Sequence, residues 1–306
     1  MAHVPDIDGV LIEWGDRLFY PGNRRVRSAE VLGAASRRRR AAAIRARIVA
    51  TVVRRAPQVM VKVTGGGRGM KAIAAHLRYI SKNGRFSMED EREQLVSGSS
   101  AVREIADDWR YGGTLIEDES FRREAFNIIL SMPAGTNADI VRKASREFAQ
   151  QEFSDHKYVM VLHDQQANPH VHLSVRAESI RGRRLNPRKA DLHRWRETFA
   201  EKLRGWGVEA EASRQSSRGV GRWYPEIWQV KAEAEGRLRK LRPVKNRRVS
   251  SQHPAAEAWR QVAQALAASS SEHDRALGKA AGDHLRDVFD QHAPTPEVSR
   301  RVNRDR

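Results

Sequence analysis

The chain has 306 residues, with 56 Lys and Arg against 38 Asp and Glu and a net charge of +18, and its pI is near 10.9. An excess of that size is the footprint of a polyanionic partner. Cysteine is absent, which excludes disulfides and thiolate metal sites and fits a reducing cytoplasm. No apolar run approaches the roughly 18 residues of a membrane span, and the opening Met1-Ala2-His3-Val4-Pro5-Asp6-Ile7-Asp8 has neither the charge nor the apolar run of a signal peptide.

In chain order, 1–57 forms an alanine-rich, basic, helical extension carrying Arg24-Arg25, Arg37-Arg38-Arg39-Arg40, Arg45, Arg47 and Arg54-Arg55. It reads either as an arm that touches nucleic acid or as a solvated basic helix. A strand follows at Val59-Met60-Val61-Lys62-Val63-Thr64, then a Gly65-Gly66-Gly67-Arg68-Gly69 turn. Such a turn into a helix can cradle phosphate, but it lacks the Lys-Ser/Thr of a nucleotide P-loop.

The stretch 70–84 has helical periodicity and ends at Gly84. At roughly 100° per residue, Met70, Ile73, Leu77 and Ile80 fall on one stripe. Tyr79 lies outside it, on a polar face with His76 and Asn83. A core tyrosine would sit on the stripe, so this hydroxyl is expected to face outward from a rigid element.

Further on, 99–109 reads as a helix with Val102, Ile105 and Trp109 on one face, 126–132 as a central strand, and 137–153 as a helix. The strand Tyr158-Val159-Met160-Val161-Leu162-His163 is joined by polar and Pro turn chemistry, Asp164 to Pro169, to His170-Val171-His172-Leu173-Ser174-Val175. Side chains alternate along a strand, so His170, His172 and Ser174 share one face while Val171, Leu173 and Val175 bury on the other. A hairpin returns His163 to that pair, and three imidazoles then converge on one metal. A helix opened by Asn186-Pro187 carries Leu192, Trp195, Phe199 and Leu203 toward the core. The segment 213–219 reads as a loop, the chain beyond Pro225 as polar and helical, and the end from Val298 as a disordered tail.

The order of these parts resembles the relaxase/mobilisation nuclease family, the conjugative DNA-nicking enzymes of the HUH endonuclease superfamily, which includes the T-DNA border endonucleases. The resemblance rests on V-K-V-T-G-G-G, H-L-R-Y-I-S-K-N-G, S-M-P-A-G-T and H-(six residues)-H-x-H, and runs from about Val59 to Arg222. The tyrosine precedes the histidines, as in relaxases; replication initiators and HUH transposases usually have the reverse order. A histidine-triad hydrolase would need H-x-H-x-H, and Ser174 stands where its third histidine belongs. A non-catalytic nucleic-acid-binding protein would explain the charge but not the exposed tyrosine beside clustered histidines.

The resemblance implies an α/β fold with a central antiparallel sheet, helices on one face and the site on the other, over 58–222; composition and pattern add a basic extension at 1–57 and a helical region at 223–306. It implies Tyr79 as nucleophile, His163, His170 and His172 as metal ligands, and Ser131, Arg78 and Lys82 as DNA contacts. The implied reaction is strand-specific nicking and rejoining of single-stranded transfer-origin DNA through a 5′-phosphotyrosyl intermediate. Relaxases are described with magnesium or manganese, whereas three imidazoles favour zinc or another late transition metal. The implied partners are a relaxosome accessory protein and a type IV coupling protein, and the implied setting is the bacterial cytoplasm, with transfer into recipient cells alongside the DNA. One departure stands out: the family's acidic residue two positions after the first histidine is Gln165 here, and the acid is Asp164. Asp164 or His76 is therefore the expected supporting group or proton acceptor.

Overall fold

The computed structural model describes residues 6–20, 33–213, 218 and 254–290. Arg24, Arg25, most of the expected 213–219 loop, the stretch from Pro225 to 253 and the tail from Val298 lie outside the described residues. The chain divides into two compact units, Ala56–Ala212 and a second made of Met1–Arg55 with Ser213–Arg306. The two ends of the chain thus share a unit, where the sequence suggested separate appendages.

The central unit is built on a six-stranded antiparallel sheet of β1 (Met60–Gly65), β2 (Met88–Asp90), β3 (Leu95–Val96), β4 (Ala125–Ser131), β5 (Tyr158–His163) and β6 (His170–Arg176), in the order β1-β4-β6-β5-β2-β3. Alternation gives the sheet two differently lined faces, and β4 and β5 contribute to a core on each. Val61, Ile128, Leu130, Met160, Leu173 and Val175 pack against α5 (Ala138–Glu152) and α6 (Lys189–Gly205). There Phe148, Phe153 and Trp195 meet edge to face, with Phe153 and Trp195 at 5.2 Å. These helices form the expected layer on one face.

The other face is not bare. Val159, Val161, Met88 and Ala125 pack beneath α3 (Met70–Ile80) and α4 (Gly98–Tyr111), through Ile73, Leu77, Ile80, Val102 and Trp109. Those helices cover the β5–β2 side, and the same face of β4, β6 and the end of β5 is left for polar residues. The apolar stripe of α3 is what places it there: Met70, Ile73, Leu77 and Ile80 are all buried.

Both ends of α3 depart from a simple helix. The Ser81 hydroxyl donates back to the Leu77 carbonyl at 2.7 Å, and α3 stops at Ile80 rather than running on to Gly84. Lys82, Asn83 and Gly84 then take φ of 49°, 58° and 84°. A Cβ on Gly84 would lie 2.3 Å from the Gly98 carbonyl carbon, so that position requires glycine. At the other end, the Met70 and Lys71 amides donate to the Glu117 and Asp118 carbonyls at 2.9 and 3.2 Å. The first two helix amides after the glycine-rich turn are thus engaged within the protein, and the turn itself is closely packed: a Cβ on Gly66 would lie 2.1 Å from the Ala125 carbonyl oxygen.

In the second unit, α1 (Ile7–Phe19), α2 (Ala34–Ile48), α7 (Pro254–Ala267) and α8 (Glu272–Leu285) bury Leu11, Leu18, Phe19, Ile44, Trp259, Val262 and Leu277 together. The arginines of α2 are largely engaged. Arg40 pairs with Asp16 at 2.5 Å, Arg37 with Asp6, and Arg45 reaches both Asp8 and Asp274 at 2.8 Å. Among the described residues, no helix is long and apolar enough to cross a membrane.

Candidate metal and tyrosine site

Register sets the site. His163 stands opposite His170 in the β5–β6 ladder, and His170 opposite Ser131 in β6–β4. His172 is two residues further along the same face. The ring centroids of His163 and His172 are 4.5 Å apart, and those of His163–His170 and His170–His172 are 5.2 Å apart. One nitrogen from each ring can be chosen so that all three lie within 4.8 Å of one another, and no carboxylate belongs to this group.

Hydrogen bonds fix which nitrogen faces inward. His163 Nε2 donates to the Ile80 carbonyl at 2.7 Å, which leaves the Nδ1 lone pair free. His170 Nδ1 donates to the Asn168 carbonyl at 2.9 Å, which leaves Nε2. Burial holds His163 below the usual histidine pKa. The same cause, with the neighbouring rings of His163, His170 and His76 and the Lys82 ammonium behind it, pushes His172 down to about 3. Neutral rings with one free lone pair and the other nitrogen anchored are what a metal requires of its ligands. The donor set therefore fits a divalent ion.

Tyr79 ends the polar face of α3 and is 65% exposed, as its place off the apolar stripe predicts. His76 lies between it and the histidines, with ring centroids 6.2 Å from Tyr79 and 6.5 Å from His172. Burial lowers the His76 pKa, which keeps the ring neutral. The Lys82 ammonium stands 5.6 Å from the Tyr79 ring centroid, and Arg78 is exposed on the same helix. Tyr79, His76, Lys82 and the three histidines are thus brought together.

Two expected residues sit differently. Ser131 is only 6% exposed and its hydroxyl donates to the Pro169 carbonyl at 3.3 Å, where it holds the chain entering β6. Asp164 makes no hydrogen bond to any of the three imidazoles; with Gln165 it lines a separate pocket beside β5. Sequence reasoning missed Phe86, whose ring meets His163 edge-on at 5.1 Å. It also missed the Ile80 and Asn168 carbonyls, because a main-chain acceptor leaves no mark on residue type.

Residues 79–208 match the family described as "Relaxase: MobA/VirD2-like, nuclease domain", a stretch that begins at Tyr79 and contains all three histidines. The T-DNA border endonuclease VirD2 of Agrobacterium fabrum is 28% identical over 183 residues, which covers 53% of this chain and 41% of that protein. Its counterparts in Rhizobium radiobacter and Rhizobium rhizogenes are 25% and 27% identical over 183 residues, covering 53% of this chain and 43% and 42% of theirs. The match thus spans less than half the length of these relatives. The family match and a tyrosine–histidine geometry set by the strand register agree: residues 79–208, within the central unit, are similar to the MobA/VirD2-like relaxase nuclease domain.

Proposed function

We propose that the central unit nicks and rejoins single-stranded DNA at a transfer origin, with Tyr79 as nucleophile. The observation that carries this reading is an exposed tyrosine on a rigid helix, next to three clustered imidazoles, two of which, His163 and His170, have their outer nitrogens anchored.

The Tyr79 hydroxyl is a weak nucleophile at neutral pH, since a free phenol has a pKa near 10. His76, neutral and next along the face, accepts its proton. The Tyr79 oxygen attacks phosphorus, the bond from phosphorus to the 3′ oxygen breaks, and that oxygen takes up a proton to become a free 3′-hydroxyl. The other strand end stays on Tyr79 as a 5′-phosphotyrosine. Because a phosphodiester is exchanged for a phosphodiester, the reverse attack rejoins ends with no external energy source. His163, His170 and His172 would hold a divalent ion, which when bound supplies Lewis-acid polarisation of the scissile phosphate. Magnesium and manganese are the proposed physiological ions, with zinc or another transition metal suited to an all-imidazole set.

Lys82 and Arg78 place positive charge where the phosphate backbone must pass. Ser131 acts on the site through the Pro169 carbonyl, keeping His170 in register. The physiological setting we infer is conjugative transfer or mobilisation in a bacterial cytoplasm, with a relaxosome accessory protein and a type IV coupling protein as partners. The test is whether an SDS-stable protein–DNA adduct forms with single-stranded DNA and a divalent cation.

A further inference from the structure

Behind the first histidine lies a pocket of about 290 Å³, set between α5, the 85–87 segment and the start of the β5–β6 turn. Its apolar wall comes from Phe86 and Leu162, both half-buried, and from Leu95, which is 56% exposed at the rim. Phe86 is shared with the metal site, since its ring rests on His163 at 5.1 Å. The buried Met160 and Val171 back it from the α5 side of the sheet, and its polar lining includes Arg85, Arg142, Asp139, Asp164, Gln165 and Glu89. The Arg142 Nε is buried with no hydrogen-bond partner, although the far end of that guanidinium reaches Asp139 at 3.3 Å. A buried donor left unpaired is costly unless something supplies an acceptor.

We propose that this pocket takes one nucleobase of the DNA strand beside the scissile phosphate and reads its identity; this rests on the nicking function proposed above. Charge balance favours a base over a phosphate, because the two guanidiniums face three carboxylates, Asp139, Asp164 and Glu89, the last held by Arg146 from outside the pocket. An aromatic ring with an aliphatic wall suits the π-face of a base, which stacks on such surfaces whatever its sequence. The rim carries the residue types that distinguish base edges: an amide for adenine, a carboxylate for the cytosine amino group, and guanidinium for guanine. The volume is close to the roughly 300 Å³ at which small-molecule pockets begin. The displaced acid of the family motif then has a place in the structure. Asp164 and Gln165 serve the pocket, and His163 and His170 are oriented by main-chain carbonyls instead.

The experiment uses the full chain with Mn²⁺ and a randomised single-stranded oligonucleotide library, with the covalently captured strands sequenced to give the base preference at each position around the nick. Gln165→Ala, Arg85→Ala and Leu95→Trp, which fills the pocket from its exposed rim, are compared with the wild type. The expected result is that preference at one position flanking the nick relaxes by about 10-fold or more, the scale of a lost base-edge pair, while the other positions keep theirs. An abasic site at that position should lower adduct yield for the wild type and not for Leu95→Trp. An unchanged preference at every position, or an equal loss at all of them, would overturn the base-reading pocket while leaving the nicking function in place. Failure of the wild type to capture any strand would overturn both.

Discussion

His163 is tied to the helix that carries Tyr79: its Nε2 donates to the carbonyl of Ile80, the residue after the tyrosine, at 2.7 Å. The bond orients a proposed metal ligand and caps the end of α3 in one contact. His163→Ala should therefore cost more than metal affinity. It leaves a main-chain acceptor without its partner, and such losses run to about 1–3 kcal/mol. Chemical denaturation of the metal-free protein is expected to show a lowered midpoint for this variant.

His170→Ala and His172→Ala should each lose most metal binding together with nicking, since removing one of three clustered imidazoles leaves an incomplete site. Calorimetric titration with Mn²⁺ or Zn²⁺ checks this. Wild-type affinity in either variant would remove that residue from the ligand set.

Much of this was legible from residue order alone. Alternation in 170–175 is a local property, so the split between buried Val171, Leu173, Val175 and the histidine face follows directly from the sequence. The outward placement of Tyr79 followed from the 3.6-residue period in the same way. What escaped was tertiary. The end of α3 at Ile80 depends on the Ser81 hydroxyl and on packing of Gly84 against Gly98. The arginine-rich 34–48 region was ambiguous because the carboxylate that engages Arg45 lies 229 residues away, at Asp274. Only a fold that joins the two ends of the chain could show it.

That pairing makes its own prediction. Arg45 links Asp8 and Asp274, and the Asp274 side chain is 9% exposed. Arg45→Ala leaves two carboxylates without their cation. Breaking a buried pair costs about 3–5 kcal/mol, and the partial exposure of Arg45 puts this case at or below the lower end. Thermal unfolding should show the loss, and Asp274→Asn should weaken the variant little further, because the pair is already broken.

Acidification should act on the histidine face. Burial holds His76, His163 and His172 below the ordinary histidine value of 6.5, His172 at about 3. Below pH about 6.5 the unfolded chain takes up protons that the folded one refuses, so stability of the metal-free protein falls as pH drops from there toward 3. Unfolding midpoints of wild type and His172→Phe, measured from pH 7 to pH 4, should diverge, with the variant showing the shallower slope. Parallel curves would contradict the buried, neutral state of His172.

The central claim is that Tyr79 forms the covalent bond to DNA. Tyr79→Phe keeps the ring and removes only the nucleophilic oxygen. The decisive measurement is SDS-resistant adduct formation on single-stranded DNA with a divalent cation, alongside binding affinity for the same strand. The expected result is an adduct for the wild type, none for Tyr79→Phe, and nearly equal affinity for both. Undiminished adduct in Tyr79→Phe would contradict the account and move the nucleophile to another side chain.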